Sequence, residues 1–97
     1  KLWQAVKSFR QALSIDKNTH ALCYLELGKL YQKLGKEKEA LAAYKKHAQK
    51  NVKISNFGAA IESCENILKI DSKHEWARGA RQKIVELLPE ISKLLQQ

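Results

Sequence analysis

The sequence predicts an all-α fold, an antiparallel stack of helical hairpins closed by a C-terminal capping helix. The first observation is an internal repeat: AVKSFRQALSID from Ala5, ALAAYKKHAQKN from Ala40 and AIESCENILKID from Ala60 are versions of one helix. Each opens on a small residue followed by an aliphatic one, then carries Phe9, Tyr44 or Cys64 four positions on and Ala12, His47 or Ile67 after that. Self-similar helices of this kind bury their apolar faces against neighbours, so a repeat implies stacking. The second is an amphipathic stripe in the preceding segment, where Leu27, Leu30, Tyr31 and Leu34 recur at three- and four-residue steps with Cys23 and Tyr24 one turn earlier. The third is that no segment alternates in the manner of a strand.

Five helices follow in order, at about 2–15, 20–34, 37–51, 57–70 and 73–96. The first is the earliest repeat copy, and the polar link from Asp16 supplies Asn18 or Thr19 as a cap for the second. Gly28 lies inside the apolar stripe of the second helix, where glycine costs ~1 kcal/mol relative to Ala. Close approach of the next helix backbone is the expected reason. Gly35 ends that helix where a left-handed cap is least costly for glycine, and Glu37 and Glu39 open the third helix in keeping with its dipole. Ser72 and Glu75 form a capping-box pattern that starts the last helix at Lys73. Its stripe is Trp76 or Ala77, then Ala80, Ile84, Leu87, Leu88, Ile91, Leu94 and Leu95. Pro89 predicts a kink or break near Val85 to Leu88.

Taken together, Tyr24, Leu27, Gly28, Tyr31, Leu34, Gly35, Ala40 and Tyr44 stand at spacings that resemble the tetratricopeptide repeat family. The chain departs from that pattern at His47, where the family usually has a small residue, and near Val52, where it usually has Pro. The resemblance implies an α-solenoid in which 1–18 is the second helix of a partial repeat, 19–51 a full repeat, 52–72 a partial repeat and 73–97 the capping helix. A start at Lys1 inside a second-helix pattern reads as a fragment of a larger array. Repeat spacing is uneven. Ala5 and Ala40 are 35 residues apart, close to the ~34 of the family, but Ala40 and Ala60 are only 20 apart. Residues 52–57 read as the end of a first helix and its turn. Either a helix's worth of chain is absent near residue 51, or the helix at 37–51 serves as partner to both neighbours.

The 18 Lys and Arg against 10 Asp and Glu give a formal charge of +8, which favours an acidic partner, although most of these lysines are read as a solvated surface. In tetratricopeptide arrays the first helices line the concave face. By that resemblance Leu22, Leu25, Lys29 and Lys33 point inward from the second helix, with Gln32 an alternative to Lys33, and Arg78 and Arg81 offer a carboxylate fork from the last. The family's chaperone-tail clamp is disfavoured, because Leu25 and Lys29 stand where Lys and Asn would be. The function expected is therefore a scaffold or adaptor that binds a peptide or helix of a partner protein through a partly basic groove. Nucleic-acid binding through basic charge and aromatics is the alternative, followed by homo-oligomerisation through an apolar surface around Trp3.

Catalysis is not expected, since nucleophile elbow, phosphate loop and Gly-rich turn are all missing from the sequence. No cofactor and no metal are called for: Cys23 and Cys64 occupy apolar helix positions and lack a CxxC partner, and His20, His47 and His74 belong to no HExxH. His47, on a core position, reads as a hydrogen-bonded interface residue. No run approaches the ~18 apolar residues of a membrane span, so a soluble cytoplasmic protein is expected, with the nucleus also open.

Overall fold

The computed structural model describes residues 1–15, 21–87 and 89. Five α-helices occupy them: α1 (Leu2–Ile15), α2 (Ala21–Lys33), α3 (Glu37–Lys53), α4 (Phe57–Ile70) and α5 (Glu75–Leu87). Each packs chiefly on the next in the chain, giving a stack 43 × 27 × 21 Å across. No strand occurs among the described residues. The link at 16–19 with its expected cap, and the last helix beyond Pro89, lie outside them.

The core is the apolar stripe of each helix turned onto its neighbour. Val6, Leu27, Tyr31, Ala40, Tyr44, Ala60, Cys64, Ile67, Ala77 and Ile84 are all buried. Small residues at Ala40 and Ala60, both fully buried, let the helices approach where larger neighbours interdigitate. Gly28 serves that end in a different way from the one expected. A Cβ there would stand 2.7 Å from Cε1 of Tyr44, so the glycine makes room for an aromatic ring of α3 and not for its backbone. Tyr44 in turn donates its hydroxyl proton to Oε1 of Gln32, which ties the ring to α2.

The two hairpins at the centre of the stack are built alike. At the end of α2 the Lys36 amide bonds the carbonyl of Tyr31 at 2.8 Å and that of Gly35 the carbonyl of Gln32 at 3.1 Å, and Gly35 has φ +74°. At the end of α3 the Asn56 amide bonds Asn51 at 2.8 Å and that of Ser55 bonds Val52 at 3.0 Å, with Ser55 at φ +61°. Both are Schellman turns, related by the 20-residue offset that separates Ala40 from Ala60. Helix α3 thus acts as second helix towards α2 and as first helix towards α4, the double role that the short repeat spacing allowed. It also runs two residues beyond the expected end at 51, because the hairpin to α4 needs the turn at Ser55.

A left-handed conformation costs a non-glycine residue ~1–2 kcal/mol, offset in part by the greater freedom that glycine loses on folding. Ser55→Gly is accordingly expected to stabilise the fold by about 0.5–1 kcal/mol, raising Tm by roughly 4 °C. Thermal unfolding followed by circular dichroism checks this, and a lowered Tm would contradict the turn assignment.

The start of α5 corrects the sequence reading. The helix begins at Glu75 and not at Lys73, and Ser72 lies in a turn instead of capping it. Oδ1 of Asp71 accepts the Lys73 amide at 3.1 Å, and Nδ1 of His74 accepts the Ala77 amide at 3.2 Å. The Asp71 side chain closes the turn first, leaving His74 at the N-cap, where its imidazole satisfies a helix amide otherwise without a partner. At the start of α4 the same service comes from Asn56, whose side chain accepts the Ala59 amide at 3.4 Å.

Candidate functional site

On α2, Leu22, Leu25, Lys29 and Lys33 fall at three- and four-residue steps along one side of the helix. Leu22 is 60% exposed, while Leu25 rests partly on the core. Lys29 is exposed and stands 3.7 Å from Oε1 of Glu26, and Lys33 is exposed in the last turn. On α5, Arg78 is exposed, and Nε of Arg81 lies 3.5 Å from Oε1 of Glu65 on α4. The Arg81 guanidinium therefore already faces a carboxylate of its own chain. Helix α5 packs on α4, two positions along the stack from α2, so the α2 stripe and the arginines form separate surfaces.

A more developed surface lies between α3 and α5, with α4 as its floor. This groove has a volume of about 620 Å³, within the ~300–1,000 Å³ usual for ligand pockets. Val52 on α3, Phe57 on α4 and Trp76, Ala80 and Ile84 on α5 supply apolar surface. Lys53 and Lys83 stand on its edges, both exposed. Nζ of Lys45 sits 5.0 Å from the centroid of the Trp76 ring, a cation–π contact that adds a third positive charge beside the aromatic. Val52 is 42% exposed and Ile54, on the adjoining turn, 68%.

The hairpin offset explains why this groove escaped the sequence reading. Moving 20 residues along carries Leu25, Lys29, Gln32 and Lys33 onto Lys45, Gln49, Val52 and Lys53. The register chosen on α2 reappears on α3, where α5 supplies an opposing wall. Pairing Gly35 with Ser55 in the sequence would have exposed the equivalence, but serine in place of glycine hides it.

Beneath these surfaces lies a polar pair. Nδ1 of His47 on α3 meets Oγ of Ser63 on α4, with both side chains buried, and Nδ2 of Asn51 donates to the His47 carbonyl at 2.8 Å. Burial lowers the His47 pKa below its ordinary value of 6.5, aided by the Lys29 charge and opposed by Glu62. Neutral imidazole is thus the form that the fold accommodates. Cys64 beside it is fully buried and unpaired, and burial raises its thiol pKa, as befits a packing residue.

Among the described residues no three His, Cys, Asp or Glu side chains gather in a way that could hold a metal ion. Nor is any described helix long and apolar enough to cross a membrane.

An all-α stack of helical hairpins with an apolar groove between alternate helices defines a class of helical repeat protein. Residues 21–46, which cover α2 and the first part of α3, match the family model described as Tetratricopeptide repeat. That segment is similar to a tetratricopeptide repeat, and such repeats generally mediate protein–protein interaction. No curated protein matches the chain.

Proposed function

We propose that this chain is a non-catalytic adaptor module that holds a segment of a partner protein in the α3–α5 groove. The observation that carries this reading is the conjunction of Phe57 and Trp76 with exposed Val52 in one concave surface edged by lysines. Aromatic side chains in a partly desolvated pocket are the residues that most often dominate binding energy, and a charged rim selects the partner. The α2 stripe of Leu22, Lys29 and Lys33 is a second contact surface in this proposal, favoured by the 60% exposure of Leu22 beside two exposed lysines. Arg78 belongs to neither surface by contact.

Affinity capture from lysate, with and without nuclease, separates the alternatives. Val52→Glu places a charge on an exposed groove position, where its effect on stability is expected within ~0.5 kcal/mol. Protein partners present with wild type and lost with Val52→Glu, but only weakened with Lys29→Glu/Lys33→Glu, support the groove with the α2 stripe as its second contact. Loss with the α2 double variant alone would move the site to α2. Material that vanishes after nuclease, with an affinity falling steeply with salt, would establish nucleic-acid binding instead.

A further inference from the structure

Resting on the reading of the α3–α5 groove as a partner site, we infer that its occupant is an amphipathic helix of a partner protein with aspartate or glutamate flanking its apolar stripe. The walls are helical ridges. Trp76, Ala80 and Ile84 follow one another at four-residue steps on α5, and Ala48 and Val52 do so on α3. Such rows receive the side chains of another helix by interdigitation.

Backbone hydrogen bonding decides between a helix and an extended segment. The wall helices use their own amides and carbonyls internally, and the side chains between them are almost all apolar or lysine. An extended peptide in that trough would bury amides and carbonyls with few partners, at a cost of ~1–3 kcal/mol for each group left unsatisfied. A helix brings its backbone bonds with it and presents only side chains. Charge then selects its flanks. Lys53 and Lys83 edge the groove, Lys45 lies over Trp76, and no carboxylate is among the described residues that line it. Acidic residues beside the apolar stripe meet these lysines, whereas basic ones are repelled.

The test is a selection from a displayed library of 16-residue peptides, about four helical turns long, in which apolar stripe and flanking positions are randomised independently. Wild-type protein is expected to enrich apolar residues at three- and four-residue spacing with Asp or Glu beside them. Synthetic copies should bind roughly tenfold more tightly than versions with Lys at those flanks, a difference of about 1.4 kcal/mol. In Lys53→Glu/Lys83→Glu protein the preference should invert. Ligands that require Val52 but show no acidic bias would overturn the charge inference and leave the groove reading intact. Enriched peptides with proline at their centres would overturn the helix. Failure of every selected ligand to depend on Val52 would sink the groove reading and this inference together. A groove-dependent dimer seen by sedimentation, abolished by Val52→Glu, would make the occupant a second copy of this chain and overturn the partner assigned here.

Discussion

Gly28→Leu is expected to lower the unfolding free energy by about 3 kcal/mol and Tm by roughly 12–24 °C. Even the first carbon of the new side chain would lie 2.7, 2.8 and 2.9 Å from Cε1, Cδ1 and Cζ of Tyr44. The ring cannot swing aside freely, because Tyr44 is 2% exposed and its hydroxyl is bonded to Gln32. Leucine would gain helix propensity of under ~1 kcal/mol over glycine, too little to offset the overpacking. A second variant shows that the contact itself is responsible. In Gly28→Leu/Tyr44→Ala the lost ring makes space for the leucine, so the double change should destabilise less than the sum of the two single ones. A Tm for Gly28→Leu within about 2 °C of wild type would contradict the packing of α2 on α3.

The second large effect concerns the buried pair between α3 and α4. Replacing His47 by Leu removes the partner of a buried Ser63 hydroxyl, and is expected to cost about 1–3 kcal/mol. Twenty residues earlier the same two places are held by Leu27 and Ala43, both buried. His47→Leu/Ser63→Ala installs that apolar pair in the second hairpin and is expected to recover most of the loss, since replacing both partners by apolar groups is close to neutral. Denaturant unfolding checks it, and a double variant no more stable than the single one would contradict the equivalence of the two hairpins.

Acid provides an independent check on this pair. The folded pKa of His47 is lowered and its unfolded value is ~6.5, so the unfolded chain binds the proton more readily. The neutral histidine's stability is therefore complete above about pH 6.5 and declines as pH falls below it, levelling only beneath the lowered folded pKa. The decline should be absent from this residue's contribution in His47→Leu. An equal fall in both proteins would assign the acid response to other groups.

The α2–α3 hairpin was legible from sequence because its requirements are written in residue types with few alternatives. Gly28 marks close approach, Gly35 a left-handed turn, and the Leu27 to Leu34 stripe a buried face. The second hairpin obeys the same geometry with less distinctive residues. Ser55 takes the turn at φ +61°, and Cys64 replaces the Tyr44 ring, so that Ala48 can stand where the first hairpin needs Gly28. Physical tolerance of these substitutions made the α3–α4 equivalence, and with it the groove, hard to see. The start of α5 was misplaced for another reason. Ser72 and Glu75 satisfy a capping pattern, but Asp71 holds the Lys73 amide in a turn and His74 caps the Ala77 amide, so the helix starts two residues later.

Site residues were legible only as a register. Lys29 and Lys33 were placed on an exposed side of α2, and the opposing wall that makes a groove came from tertiary packing of α5 across α4. Arg81, one arm of the expected carboxylate fork, stands 3.5 Å from Glu65, a pairing that depends on α5 lying against α4. Periodicity gives the direction of a side chain around its own helix, and it carries no information about which helix comes to face it.

The most direct test of the groove is a map of backbone amide shifts on adding a captured or selected partner segment to isotope-labelled protein. The largest changes are expected to cluster at Val52, Phe57, Trp76 and Ile84, with those at Leu22, Lys29 and Lys33 smaller. Changes confined to α2, or spread evenly over the lysines without touching Trp76, would contradict the groove reading.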